Sequence, residues 1–204
     1  ATTASTIFAS QFKYNLKDPR NLDAAFRQVF NGGWTYSKQG ATPNGTNGYS
    51  DTKLNQNTQL TLSSNHLSYY SRSSTIGGVT VEIGGYNGSY NHLRTAVNYW
   101  AGNLGVSFAT TTTSLGHWVG SKTSSTSRRV YRNGIFEGTN TSNDSTAYPN
   151  QNAFLCAQNE VGTANYFSNK QCAFATIGDG LSDTEASAMY TSVQSYQTSM
   201  QRQV

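Results

Sequence analysis

Between residues 34 and 177 the chain is cut into short apolar alternations by Gly, Asn and Ser, and this pattern constrains the fold more than any other feature. Val79, Val81 and Ile83 sit two apart, as do Leu60 and Leu62, which is the period of a strand with one buried face. Thr95, Val97 and Tyr99 read as one face of a further strand, Ala96, Asn98 and Trp100 as the other, and Val106 and Phe108 follow. His117, Trp118 and Val119 open another piece. Val130 and Tyr131 lead into Asn133-Gly134, a dipeptide suited to the two-residue hairpin turn, and Ile135 and Phe136 lead out. Residues 154–157 and 172–177 read as an antiparallel pair across the polar loop 158–170. Strands of this kind bury a face only against a second layer, so the pattern predicts a sandwich of sheets rather than alternating strand and helix units.

Two helices flank this region in the reading. In DPRNLDAAFRQVFNGG, Asp18 can cap, Pro19 fits the first helical position, and Leu22, Ala25, Phe26 and Val29 recur at helical spacing before Gly32 and Gly33. At the other end Ser182 and Glu185 form a capping box, and Ala186, Met189, Tyr190, Val193, Tyr196 and Met200 make an apolar stripe over residues 183–202. Residues 1–17 read as a polar leader or arm with apolar handholds, among them Phe12, Tyr14 and Leu16, and residues 18–204 as one β-sandwich domain including the terminal helix. The opening ATTASTIFAS lacks the basic flank and long apolar core of a signal peptide, which suggests a processed chain or a piece of a larger one.

Composition narrows the function classes. Of 204 residues only 12% are charged, and the net charge of +4 is too small to imply nucleic acid. Arg128, Arg129 and Arg132 form the basic cluster of the chain and read as a solvated strand surface. No run of eighteen apolar residues exists, so a membrane-spanning helix is not expected.

Chemistry is thin. His66, His92 and His117 are far apart and fit no metal-ligand spacing; the first two read as surface or half-buried strand residues, while His117, beside Trp118, reads either as a ligand contact or as a sheet-edge residue. Nucleotide and serine-nucleophile glycine motifs are absent. Glu82 is the acid inside a convincing strand, without an acidic neighbour on its face, and a glycosidase needs two carboxylates across a groove; partners such as Glu137 or Glu160 stay open. Asp179 and Asp183 bracket Gly180 and offer oxygen ligands to calcium, although a turn and a helix cap account for both. Cys156 and Cys172 can form a disulfide if their strands are neighbours, and fit equally as buried free thiols. Trp34, Tyr86, Tyr90, Trp100 and Trp118 are the candidate ligand-binding rings.

The segment YFSNKQCAFATIGDGLSDTEASAMYTSVQSYQTSMQRQV resembles the closing motif of concanavalin A-like, laminin-G-like sandwich domains of phage virion and large bacterial surface proteins. NLKDPRNLDAAFRQVFNGGW and GATPNGTNGYSDTKLN resemble the amino-terminal half of the same domains. The resemblance implies a concanavalin A-like jelly-roll β-sandwich and an all-β fold, with a short amino-terminal helix and a carboxyl-terminal one. It implies a module of a virion or extracellular surface, with other surface proteins or a second copy as partners. The chain lacks the acidic catalytic strand of the glycoside hydrolases that share the fold, so no catalytic residue is assigned and no enzyme activity is expected. The leading expectation is a structural module of a phage-like particle, such as a capsid decoration, fibre or tail protein. The alternative is a carbohydrate-binding, lectin-like module. No cofactor is expected beyond calcium, and no nucleic-acid or membrane partner.

Overall fold

The computed structural model describes residues 10–96, 99–102, 106–143 and 146–204, with the side chains of residues 99–102 and 106–110 outside that description. In chain order the strands are β1 (Val29–Asn31), β2 (Trp34–Ser37), β3 (Gly40–Pro43), β4 (Tyr49–Asn55), β5 (Asn65–Ser71), β6 (Thr80–Tyr86), β7 (Tyr90–Ala96) and β8 (Tyr99–Gly102). They continue as β9 (Val106–Thr110), β10 (Gly116–Ser124), β11 (Ser127–Arg132), β12 (Ile135–Asn140), β13 (Asn152–Leu155), β14 (Gln158–Glu160), β15 (Thr163–Asn165) and β16 (Cys172–Gly178). Among the described residues they form a nine-stranded sheet, ordered β1-β4-β13-β6-β7-β8-β9 with β14 and β15 appended, and a seven-stranded sheet, ordered β12-β11-β10-β5-β16-β3-β2. The fold is an all-β, jelly-roll-like sandwich closed by one long carboxyl-terminal helix (Asp183–Ser199).

Alternation sorts the side chains. Tyr69 pairs with Trp118 across β5 and β10, and Leu67 with Gly120, so the side chains of Tyr69, Trp118 and Leu67 share one face. That face meets Ile83, Leu93 and Leu155 of the other sheet to form the inter-sheet core. The opposite face of the seven-stranded sheet carries Tyr70, Val119, Tyr131 and Ala173, which the helix covers with Ala186, Met189 and Val193.

The capping box forms as expected: Glu185 N–H donates to Ser182 Oγ at 3.4 Å, and Ser182 N–H to Glu185 Oε2 at 2.8 Å. The helix stops at Ser199 rather than 202, where Gln201 turns into the left-handed region at φ 57°. Its packing face differs from the expected stripe at one end. Met200 is exposed, and Gln197 takes the buried place, donating from Nε2 to the Ala173 carbonyl at 3.4 Å. Met189 touches both clusters beneath the helix. Met189→Asp should lower stability by about 3 kcal/mol, because it sets an unpaired charge against apolar surface and removes methionine packing; thermal unfolding followed by circular dichroism checks it.

The Asn133-Gly134 turn is as expected, with φ 51° and 74° joining β11 to β12. Four local readings are corrected. The amino-terminal helix is a single 3-10 turn, Asp23–Ala25, because Phe26 takes a left-handed φ of 56° and Val29–Asn31 pairs with β4. Leu60 and Leu62 are not in a strand: Asn55 caps a helical turn, Gln56–Gln59, by accepting from the N–H groups of Asn57 and Thr58. The strand read through Thr95 to Trp100 is a hairpin in which Ala96 pairs with Tyr99; residues 97 and 98 of that reading lie outside the described residues. Residues 154–157 and 172–177 are not partners, since β13 and β16 belong to different sheets.

Candidate functional site

Strands β6 and β7 are joined by Asn87, Gly88 and Ser89, with Gly88 at φ 75° supplying the left-handed residue that a tight turn needs. Tyr86 and Tyr90 are directly opposed at the mouth of this hairpin, so their side chains leave the same face. Their rings stack with centroids 4.3 Å apart at 28°. Tyr90 is 39% exposed, and its ring meets that of His92, two residues along the same face, at 5.0 Å. The result is an aromatic platform at the end of the sandwich.

Amide side chains hold the backbone beneath it. Gln151 Nε2 donates to the carbonyls of Tyr86 and Asn159. Asn159 Nδ2 donates to the Asn152 carbonyl at 2.9 Å, and Val161 N–H to the Tyr86 carbonyl at 3.1 Å. His92 Nδ1 lies 3.0 Å from Gln158 Oε1, a pure acceptor, so the ring proton sits on Nδ1 and Nε2 keeps a free lone pair. Burial, reinforced by the nearby Arg94 charge, pushes the His92 pKa down to about 3. The platform therefore stands on a neutral imidazole at any ordinary pH.

A second feature is a cleft of about 590 Å³ at the edge of the sandwich, between β2, β3 and β16 on one side and β1 and β4 on the other. Residues 11–17 and the end of the long helix form part of its wall. Trp34 lines it, stacked on Tyr36 at 6.1 Å and edge-on to Phe30 at 5.0 Å, with its indole N–H donated to the Asn31 carbonyl. One flank and the polar edge of Trp34 are thus already used within the protein.

The remaining sequence candidates separate. Trp118 is 0% exposed, donates to the Ser114 carbonyl and carries the Arg132 guanidinium 5.5 Å from its ring, so it is a core residue and not a ligand face. Trp100 lies in β8, and its side chain falls outside the described residues. His66, His92 and His117 are all buried rather than superficial. Asp183 accepts from Tyr131 Oη at 2.7 Å and from Arg129, which hold its carboxyl below the usual carboxylate range. Asp179 lends its main-chain carbonyl to His66 Nδ1 at 2.6 Å. No group of three or more His, Cys, Asp or Glu side chains converges among the described residues. The basic cluster is spent internally: Arg128 is buried on Asn140 and Ser142, and Arg129 pairs with Asp183. Glu82 is sealed inside the sandwich, paired with Lys170 at 3.0 Å, so it meets no substrate.

Cys156 and Cys172 are free and buried. Tyr69 Oη lies 3.4 Å from Cys156 Sγ, and Cys172 sits on the opposite sheet at the floor of the cleft. Burial pushes the Cys172 thiol up to about 12 and raises that of Cys156 as well.

No protein-family model and no curated protein sequence matches the chain. Solved structures do. The binding domain of botulinum neurotoxin DC, in complex with rat synaptotagmin II, matches with 14% identity and a TM-score of 0.61, over 91% of this chain and 52% of that one. Domain 4 of an extracellular arabinanase from Geobacillus stearothermophilus, in complex with arabinotriose, matches with 15% identity and a TM-score of 0.55, over 88% of this chain and 96% of that one. A mutant of the NanB sialidase from Streptococcus pneumoniae matches with 16% identity and a TM-score of 0.54, over 78% of this chain. The chain spans only 28% of that sialidase and about half of the toxin structure. At these identities the common ground is the two-sheet β-sandwich, shared over nearly the whole length of the arabinanase domain.

Proposed function

We propose that this chain is a non-catalytic carbohydrate-binding module that takes a glycan on the Tyr86–Tyr90 platform. The observation that carries this reading is the pre-stacked tyrosine pair at the end of a hairpin, with Tyr90 exposed and Tyr86 half-buried. A sugar ring presents a face of C–H groups that packs on an aromatic face, and rings already held in place lose little entropy on binding. The hydroxyls of Tyr86 and Tyr90 and the polar turn between them supply directed hydrogen bonds. The likeness to an arabinanase domain solved with arabinotriose supports the reading at the level of fold.

Such a module works on an extracellular or particle surface, where glycans are displayed. A structural role in a phage-like virion, with the finer concanavalin A-like label, rests on the resemblance in sequence and draws no support from the three structural likenesses. Glu82, the strand acid that a hydrolase reading would use first, has no route to a ligand, which supports binding without catalysis.

A glycan array followed by calorimetry on the best hit tests the proposal. Tyr90→Ala should weaken that glycan at least tenfold, about 1.4 kcal/mol, while leaving the fold intact. An array without a hit, or a Tyr90→Ala variant that binds as tightly as the parent, removes the reading.

A further inference from the structure

The cleft has a lining that contains no Asp or Glu, yet Arg202 stands in it at 5% exposure. The Arg202 guanidinium lies over two rings, 5.4 Å from Tyr196 and 5.8 Å from Phe12, and donates from Nη2 to the Tyr196 hydroxyl at 3.2 Å. Among the described residues its buried Nε–H has no hydrogen-bond partner and no ion pair involves it. An arginine stays charged at every accessible pH, so this is a fixed, nearly desolvated cation with an unused donor. Such a group is costly unless an anion meets it.

The rest of the lining says what kind of anion. Leu54, Ile83, Leu155 and Ile177 also face the cleft, and Trp34 and Phe30 give it an aromatic wall. Tyr14, Leu16 and Met200, all exposed large apolar side chains, line the same cleft. The volume of about 590 Å³ falls within the range of about 300 to 1,000 Å³ usual for small-molecule sites.

We propose that the cleft binds a linear amphiphile with an anionic head, a long-chain carboxylate, whose head pairs with Arg202 and whose chain lies along the apolar wall. A carboxylate can take the free Nε–H and the adjoining Nη edge in the planar fork that guanidinium favours, while the flanking rings shield the pair from water. Lys17, exposed in the same lining, adds a second positive charge. The cleft shares no residue with the tyrosine platform, so this site stands independently of the glycan reading.

The test uses the full chain and dodecanoate below its micellar concentration, with calorimetry and tryptophan emission as readouts and Trp34→Phe to assign the optical signal. Dodecanoate should bind saturably at one per chain, dodecanol at least tenfold more weakly and dodecyltrimethylammonium more weakly still. Arg202→Gln should bring dodecanoate down to the level of the alcohol, and Tyr90→Ala should leave it unchanged. If Arg202→Gln does not fold, the three head groups on the parent protein decide alone. Equal binding of acid and alcohol, or no saturable dodecanoate binding, overturns the proposal.

Discussion

Lys170→Met should destabilise the sandwich by about 3 to 5 kcal/mol, as removal of one partner from a buried ion pair does. Both side chains are fully buried, with Lys170 Nζ 3.0 Å from Glu82 Oε1 and 2.7 Å from Thr80 Oγ1. The same carboxylate oxygen accepts from Thr80, Thr95 and Ser168, whereas Oε2 has no partner among the described residues. Without the lysine, three hydroxyls would face an uncompensated buried charge. The double variant Glu82→Leu with Lys170→Met should recover most of the loss, because it removes both desolvation penalties and fills the space with apolar atoms. Urea unfolding of the two single variants and the double gives the coupling energy; additive losses would mean that the pair is electrostatically idle.

Acid should open the protein well above the range of ordinary carboxylate titration. His92 and His117 are buried, and both pKa values are pushed down to about 3, in His117 by burial and then by the neighbouring His66. In the unfolded chain each returns to about 6.5, so between about pH 6.5 and 3 the unfolded state holds more protons than the native one. Stability from these two groups is therefore intact above pH 6.5 and lost as pH falls, at about 1.4 kcal/mol per unit for each. Two units of acidification should remove about 5 kcal/mol, a large share of the 5 to 15 kcal/mol typical of a domain. His117 lies between the rings of Tyr70 and Tyr190, with centroids 6.1 and 6.4 Å away, and neither of its nitrogens has a hydrogen-bond partner among the described residues. His117→Phe should thus keep the ring packing and reduce the slope of stability against pH, with His92 and the buried His66, whose pKa is also pushed down by burial, carrying the remainder. Urea midpoints that stay flat from pH 7 to pH 5 in the parent would refute the mechanism.

Features governed by a few adjacent residues were legible in the sequence, and features governed by distant pairing were not. Ser182 with Glu185 and Asn133 with Gly134 carry their own hydrogen-bond logic, and both behave as read. Glu82 follows the alternation of Val79, Val81 and Ile83, yet the register shifts between Val81 and Ile83, and this irregularity lets it turn inward beside Ile83. Nothing near Cys156 or Cys172 in the chain tells which sheet each joins. Tyr86 and Tyr90 stand in the sequence only as two of five candidate rings; the register of β6 on β7 is what sets them opposite each other, with His92 two residues along the same face. Trp34 and Trp118 look alike in sequence; only the pairing of Trp118 with Tyr69 sends it to the core. Arg202 lies outside any strand pattern, and its place over Phe12 joins segments nearly the whole chain apart.

The two thiols also make the protein a reporter on itself. Cys156 is reached only when the sheets part, whereas Cys172 lines the cleft, so a small alkylating reagent meets it through a local route. Since burial keeps both thiols protonated, and the thiolate is the form that reacts, each is quiet until its surroundings open. The ratio of the two labelling rates then separates breathing of the cleft from opening of the whole sandwich, within one molecule and without an added probe.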